Sequence, residues 1–145
     1  MIGLLQRVTR ASVEVEGHIV GAIGPGLLVL VGVVPSDTPG SGLKLLERLL
    51  QYRIFPDGTG RMNRSLRDVA GGLLLVPQFT LAADTAKGLR PGFSTAAAPE
   101  LGERLFKTLL ADALNLHQPV AAGTFGAHMQ VALVNDGPAT FWLES

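Results

Sequence analysis

Apolar and polar residues alternate strictly in the first part of the chain and then give way to continuous apolar runs. Ser12, Glu14 and Glu16 alternate with Val13 and Val15, which is the period of two expected of a half-buried strand. A longer, unbroken apolar run follows the Gly-Pro-Gly turn and is typical of a central strand buried on both faces. The pattern therefore predicts four strands, at residues 2–8, 11–16, 19–23 and 27–34.

Two later segments show helical spacing instead. Leucines recur every three or four positions from about residue 42 to 52, with charged residues on the outer face. A second helix is expected to start near Pro99, because proline suits the first helical position. Glu100 and Glu103 lie in the first turn of that helix, where acidic side chains favour the helix dipole.

Further apolar runs separate these helices and follow the second one. They predict strands at residues 53–55, 72–81, 126–134 and 139–143. A turn is expected at 56–60, an irregular or edge segment at 61–68 and a long connection at 82–98, a length that is usually functional. The order of elements predicts an α+β fold, with residues 1–145 forming one compact domain: a curved, barrel-like antiparallel sheet with two helices.

The segment Asn135-Asp136-Gly137-Pro138-Ala139-Thr140 lies between the last two apolar runs. Composition alone favours a turn or hairpin here. Gly-Pro is also one of the few dipeptides that holds a cis peptide bond at modest cost, about 0.5–1 kcal/mol. A cis Gly-Pro presents two backbone carbonyls side by side with no side chain in the way. Such a pair is suited to reading the geometry, and the handedness, of a ligand.

Composition limits the possible functions. The formal net charge is zero, so the overall charge does not indicate a nucleic-acid partner. The segment between positions 44 and 90 is nevertheless positively charged, with eight basic residues and four acidic ones. The chain has no cysteine, which excludes disulfides, thiolate catalysis and cysteine-ligated metal. No apolar run approaches a membrane span and no signal-peptide pattern opens the sequence. We expect a cytoplasmic protein that does not enter membranes.

The usual catalytic motifs are missing from the sequence. His18, His117 and His128 have no partner at metal-ligand spacing, so neither a metal site nor a cofactor is predicted. There is no nucleophile elbow and no Walker-type phosphate loop. Thr80 is one hydroxyl at the end of a buried strand, open to interpretation as a nucleophile, a substrate contact or simple strand packing. If the chain is an enzyme, its electrostatics come mostly from backbone amides and carbonyls.

Several short motifs occur in an order that resembles one known family over essentially the whole chain. They are Gln6-Arg7-Val8, Ala11-Ser12-Val13, Arg53-Ile54-Phe55, Met62-Asn63, Pro77-Gln78-Phe79-Thr80-Leu81, Arg90-Pro91, Phe125-Gly126-Ala127 and the Asn135–Thr140 segment. The ordered set resembles the D-aminoacyl-tRNA deacylase family. That resemblance implies a dimeric hydrolase that frees tRNA from D-amino acids, with glycyl-tRNA as a plausible second substrate.

The resemblance also implies roles for individual residues. Gly137 and Pro138 would form a cis pair that rejects L-amino acids, held in place by Arg7 and donated to the pocket of the partner subunit. The pocket would work through backbone groups and the ribose hydroxyl of the tRNA, leaving Thr80 no essential chemical role. The other implied pocket residues fall into two groups: Gln78, Phe79 and Thr80 around the aminoacyl ester, and Pro77, Phe125, Gly126, Ala127 and Met129 near the terminal adenosine.

Two positions depart from the family pattern. Pro77 stands where the family usually has serine, so a hydroxyl and a backbone N–H are lost from the pocket edge. Ala139 replaces a valine after Gly-Pro, which removes two methyl groups behind the loop. Two alternatives remain open at this point. One is a non-catalytic module that binds aminoacyl-adenosine or a nucleotide, and the other is a relative with a trans Gly-Pro that edits L-residues.

Overall fold

A computed structural model describes all residues from 1 to 145 and contains eight strands, three α-helices and one 3₁₀ turn. The elements are β1 (Ile2–Val15), β2 (His18–Ile23), β3 (Gly26–Gly32), α1 (Pro39–Gln51), β4 (Phe55–Pro56), β5 (Met62–Arg64), α2 (Leu66–Val69), β6 (Gly72–Pro77), the 3₁₀ turn (Phe79–Ala82), α3 (Pro99–Leu116), β7 (Val120–Ala122) and β8 (Gln130–Glu144). None of the helices is both long and apolar enough to cross a membrane.

Strand β1 is the centre of the sheet. Along one edge it pairs antiparallel with β8, and along the other it pairs first with β3 and then with β2. The sheet continues from β3 through β6 to β7. Strand β2 then returns close to β7, where a Cβ atom added to Gly21 would lie 2.6 Å from the carbonyl oxygen of Ala122. The sheet is therefore curved and nearly closed, which confirms the predicted α+β class with a barrel-like sheet.

The sheet differs from the prediction in being mixed rather than wholly antiparallel. Strands β3 and β6 run parallel, and so do β6 and β7. The segment between β3 and β6 contains α1 and α2, and a helical crossover returns the chain to the same end of the sheet. Parallel neighbours follow from that connection. The alternation of apolar residues in single strands carries no signal for the direction of the next strand.

Two apolar clusters lie on opposite faces of the sheet, and β3 contributes to both. Leu27, Val29 and Val31 belong to the larger cluster, which α1 and α3 cover, whereas Leu28 belongs to the smaller one. All of β3 except Leu30 is buried. The central strand that the continuous apolar run predicted is thus confirmed, with pairing partners on both sides.

The helices extend beyond the leucine pattern. Helix α1 begins at Pro39, three positions before the predicted start, because Thr38 and Ser41 form a reciprocal capping box ahead of the first apolar residue. Segment 61–68, predicted as irregular or an edge, holds β5 and the short helix α2. A second capping box, between Ser65 and Asp68, starts α2. The sheet therefore carries three helices rather than the predicted two.

Several predicted strand boundaries are wrong. Segments 2–8 and 11–16, predicted as two strands, form the single strand β1, and the strand predicted at 126–134 begins at Gln130. The run at residues 72–81 stops being a strand at Pro77, which cannot donate to a further ladder bond, and a 3₁₀ turn follows it. The final two strands are one strand, β8. Gln6 of β1 pairs with Thr140 and Val8 pairs with Asn135, so residues 136–139 stand opposite Arg7 alone. The Gly-Pro segment is thus a bulge in a continuous strand, not a hairpin turn.

We expect Gly26→Ala to destabilise the fold strongly. A Cβ atom at Gly26 would lie 2.0 Å from the carbonyl oxygen of Gly72 on β6, so the two parallel strands would have to separate. The free energy of unfolding should fall by about 2–4 kcal/mol in urea titrations. Gly24→Ala is the matched control, since nothing lies within 4 Å of its added Cβ. Equal stability of the two variants would contradict this account of the β3–β6 contact.

Candidate active site

A cleft of about 430 Å³ opens where β6 ends, between the sheet and the first turns of α3. Seven of the residues expected at a pocket line it: Pro77, Gln78, Phe79, Phe125, Gly126, Ala127 and Met129. Thr80 does not line the cleft but accepts a hydrogen bond from Gln78 Nε2 beside it. A single concavity therefore brings together two segments that are far apart in the sequence.

The first wall of the cleft forms where β6 stops. Gln78 N–H donates to the carbonyl of Val31 at 2.8 Å and fixes the chain just after Pro77. The chain then turns, so that Phe79 is 56% exposed and its ring lies 5.1 Å from that of Phe93. Phe79 and Thr80 open the 3₁₀ turn, whose first hydrogen bond runs from Leu81 N–H to the Gln78 carbonyl, so the N–H groups of Phe79 and Thr80 have no partner within the turn. Two N–H groups at the start of such a turn are suited to bind an oxygen of a ligand.

The opposite wall is the segment between β7 and β8. Gly126 has φ +75, a conformation that favours glycine, and it turns the chain across the cleft. The Phe125 ring packs so closely on α3 that a Cβ atom at Gly102 would lie 3.3 Å from it. A Cβ atom at Gly123 would lie 2.8 Å from the sulfur of Met129. Small residues thus let two large side chains close over the pocket.

The Gly-Pro bulge is anchored by a buried arginine. Arg7 is 8% exposed, and its Nε donates to the carbonyl of Asp136 at 3.0 Å and forms an ion pair with the Asp136 carboxylate. Nη1 of Arg7 donates to the carbonyl of Ile54. Asn135 Nδ2 donates to the carbonyl of Arg7 at 2.9 Å and to that of Ala139 at 3.4 Å. Both ends of the bulge are therefore tied to β1 or to each other.

The bulge and the cleft do not meet within one chain. Arg7, Gly137 and Pro138 are absent from the residues that line the cleft. Gly137 and Pro138 are exposed, and the peptide bond between them is cis. Within a single chain, therefore, the Gly-Pro bulge does not contribute to the cleft.

Sequence reasoning missed the part of the cleft that lies on β3 and α3. Ala97 N–H donates to the carbonyl of Val33 at 2.9 Å, which draws the end of the long connection onto the sheet. Pro99 is the one sequence signal for this part of the cleft, and it indicates only where α3 begins. The lining residues that were not predicted are Val31, Val33, Ala97, Pro99, Gly102, Phe106, His128 and Val131.

The two perturbed carboxylates lie elsewhere and organise turns. Hydrogen bonds from the Thr59 hydroxyl, from the Asn63 amide and from backbone N–H groups hold the pKa of Asp57 well below its usual value. Backbone and hydroxyl hydrogen bonds from Ser65, with a smaller effect of Arg64, lower the pKa of Asp68. No group of three histidine or acidic side chains comes together that could hold a metal ion. The cleft offers apolar walls and backbone amides.

Comparison with known proteins decides the family. The family profile described as D-Tyr-tRNA(Tyr) deacylase matches residues 4–144. The chain belongs to the D-aminoacyl-tRNA deacylase family. It is therefore a hydrolase. A D-aminoacyl-tRNA deacylase of Pseudomonas fluorescens SBW25 is 66% identical over 145 residues, covering all of both chains. One of Thioalkalivibrio sulfidiphilus is 62% identical over 144 residues, covering 99% of this chain and 97% of its own.

Two solved structures share the fold of this chain. The c-Myc DNA Unwinding Element Binding Protein superimposes with a TM-score of 0.94 and 38% identity, covering 100% of this chain and 99% of its own. A probable eukaryotic D-amino acid tRNA deacylase superimposes with a TM-score of 0.82 at 18% identity, covering 99% of this chain and 98% of its own. The second likeness concerns the fold alone.

We expect Arg7→Lys to loosen the bulge and lower stability. An ammonium group cannot replace a guanidinium that bonds two carbonyls and a carboxylate at once, so buried acceptors would lose their donor. The free energy of unfolding in urea should fall by about 1–3 kcal/mol. Arg10→Lys on the same strand is the control, because the Arg10 side chain is exposed and makes no hydrogen bond. Similar values for both variants would rule out an anchoring role.

Proposed function

We propose that this chain hydrolyses the ester bond of D-aminoacyl-tRNA, releasing free tRNA and the D-amino acid, as a step of proofreading in translation. Deacylation of D-aminoacyl-tRNA is the activity of the family. The observation that carries the proposal for this chain is the cleft, which brings Gln78 and Phe79 opposite the Phe125–Ala127 segment. These are the segments expected to hold the aminoacyl ester and the terminal adenosine. We place the activity in the cytoplasm, where translation supplies the substrate.

The pocket is completed by a second copy of the chain. The Gly137–Pro138 bulge is exposed and anchored, yet it lies outside the cleft of its own chain. Strand β8 pairs with β1 only, so one long edge of the sheet has no partner within the chain. Val134 and Trp142 on this strand are 39% and 48% exposed. A homodimer in which each bulge enters the partner's cleft accounts for both features.

Selection works by exclusion. The two carbonyls of the bulge would accept hydrogen bonds from the amine of the substrate, and this fixes where the other groups on Cα point. The side chain of a D-residue would point outward, whereas that of an L-residue would meet rigid backbone. Glycine has no side chain to exclude. Mischarged glycyl-tRNA is therefore a second substrate on this proposal.

Cleavage adds water across the ester. The water oxygen bonds to the acyl carbon and the bond from that carbon to the ribose oxygen breaks. One proton of the water goes to the ribose oxygen and the other is released to solvent, so that the amino acid leaves as its carboxylate. Charge develops on the carbonyl oxygen in the transition state, and the N–H groups of Phe79 and Thr80, which have no partner within the 3₁₀ turn, are suited to stabilise it. The hydroxyl of the adjacent ribose assists. On this mechanism Thr80 contributes its backbone N–H, while its Oγ1 accepts a hydrogen bond from Gln78 Nε2.

The first test compares D-tyrosyl-tRNA with L-tyrosyl-tRNA. We expect release of D-tyrosine only, and a loss of about 10²-fold in Gly137→Ala, because a 1 Å misplacement of a positioning group can cost that much. The added Cβ would lie 2.7 Å from Oδ1 of Asn135, so the Asn135 side chain, which bonds the carbonyls of Arg7 and Ala139 at the two ends of the bulge, would have to move. Gly58→Ala is the control, since its added Cβ meets nothing within 4 Å. Binding without turnover would identify a binding module instead, and L-tyrosine release would identify an editor of L-residues.

The second test concerns Thr80. We expect Thr80→Val to keep kcat within about threefold, whereas loss of a true nucleophile costs about 10⁴-fold or more. Valine matches threonine in shape and keeps the backbone N–H while removing the hydroxyl. The measurement is single-turnover deacylation of D-tyrosyl-tRNA, with Thr80→Ser as the variant that restores the hydroxyl. If kcat collapses in Thr80→Val but is retained in Thr80→Ser, the hydroxyl is the nucleophile and the backbone mechanism is wrong.

A further inference from the structure

A second, wider groove of about 820 Å³ lies away from the cleft, along the outer face of α1. Lys44, Glu47 and Arg48 line it at helical spacing, and Arg53 lines it just after the helix. Tyr52 also lines it, with its ring edge-on to Phe141 at 5.8 Å. The groove is thus open and apolar at its base, and three of its four charged side chains are cationic.

None of the positive side chains of the groove forms an ion pair within the chain, although Glu47 lines the same groove and the charge of Arg53 helps to lower the pKa of Asp68. The structure contains three ion pairs, and none of them involves Lys44, Arg48 or Arg53. The nearby carboxylates of Asp57 and Asp68 are used by hydroxyl, amide and N–H groups of their own turns. A cationic surface that the fold leaves unpaired is suited to an anionic ligand.

Both arginines of the groove are oriented by neutral hydrogen-bond acceptors. Arg53 donates from Nε to the carbonyl of Asn63 at 2.9 Å and from Nη2 to the Asn63 side chain at 2.7 Å. Arg48 donates from Nη1 to the carbonyl of Glu144 at 2.7 Å. These bonds fix the side chains without cancelling their charge. Each guanidinium keeps free N–H groups whose planar fork matches a phosphate.

The groove is joined to the Gly-Pro bulge through two contacts. Ile54 lines the groove, and its carbonyl accepts from Arg7 Nη1. The Nε atom of the same arginine holds the carbonyl of Asp136 in the bulge. One arginine therefore ties the groove to the bulge within one subunit, and no residue that lines the groove also lines that subunit's own cleft.

We propose that the α1 groove binds the sugar–phosphate backbone of the tRNA acceptor stem, on the subunit that donates the bulge. The proposal rests on the function proposed above, because it takes an aminoacyl-tRNA as the ligand. It follows that one bound tRNA contacts both subunits: the groove and bulge of one and the cleft of the other. Lys44, Arg48 and Arg53 contribute to binding and not to the chemical step.

The test removes the three charges together, as Lys44→Gln/Arg48→Gln/Arg53→Gln. Binding of uncharged tRNA is measured across a range of salt, and deacylation is measured on D-tyrosyl-tRNA and on D-tyrosyl-adenosine, which has no acceptor stem. We expect affinity for tRNA to fall at least about 10-fold at low salt. The slope of log K against log salt should become shallower by about 2–3, since each phosphate contact contributes about 0.7–0.9. Turnover of D-tyrosyl-adenosine should stay within about twofold.

The matched control is Arg10→Gln/Arg104→Gln/Lys107→Gln, which removes the same charge from exposed positions outside the groove. An equal loss in this control would attribute the effect to net charge and overturn the proposal. An equal loss of turnover on D-tyrosyl-adenosine would also overturn the proposal, because the three residues would then act on the cleft. A halved mass of the triple variant in light scattering would overturn it as well, because the residues would then be needed for the dimer. The measurement of tRNA binding does not depend on turnover. If the wild-type protein were inactive, the proposed function would be refuted, while the binding measurement would still test whether the groove binds tRNA.

Discussion

The contacts of Arg7 hold together three parts of the chain that the sequence keeps far apart. This residue lies on β1 at the one position where β8 has four residues, 136–139, opposite a single partner. A bulge of that size leaves backbone groups without ladder partners. The guanidinium satisfies one of them, the Asp136 carbonyl, and also binds the carbonyl of Ile54 after α1. Both the shape of the bulge and its place beside the groove depend on this one side chain.

The periodicity of apolar residues was sufficient for the fold class, and its failures have specific causes. It identified β3, α1 and α3, because each buries a face whose spacing is visible in the sequence. It did not identify α2, a single turn started by the capping box of Ser65 and Asp68 rather than by an apolar stripe. It also gave no indication that β6 runs parallel to β3, since strand direction is set by the connection.

The Gly-Pro segment shows why local chemistry can suggest the wrong structure. Asn, Asp, Gly and Pro in succession have the composition of a hairpin, and a hairpin would pair the flanking strands with each other. Here both flanks instead pair with β1, at Gln6 and Val8. Only the long-range register distinguishes the two outcomes, and register is not a local property. The lining of the cleft by α3 was missed for the same reason, because it depends on contacts between distant segments.

The arrangement of cleft, bulge and groove has a consequence for specificity. An enzyme that recognises an amino acid by its side chain needs a pocket shaped to that side chain, and each new substrate then needs a new pocket. In the mechanism proposed here, the backbone carbonyls of the anchored bulge would instead test only the configuration at Cα. Affinity would then have to come from the part that all substrates share, the tRNA, and the proposed role of the α1 groove is to supply it. Separating the chiral test from the source of binding energy would let one site act on many D-amino acids.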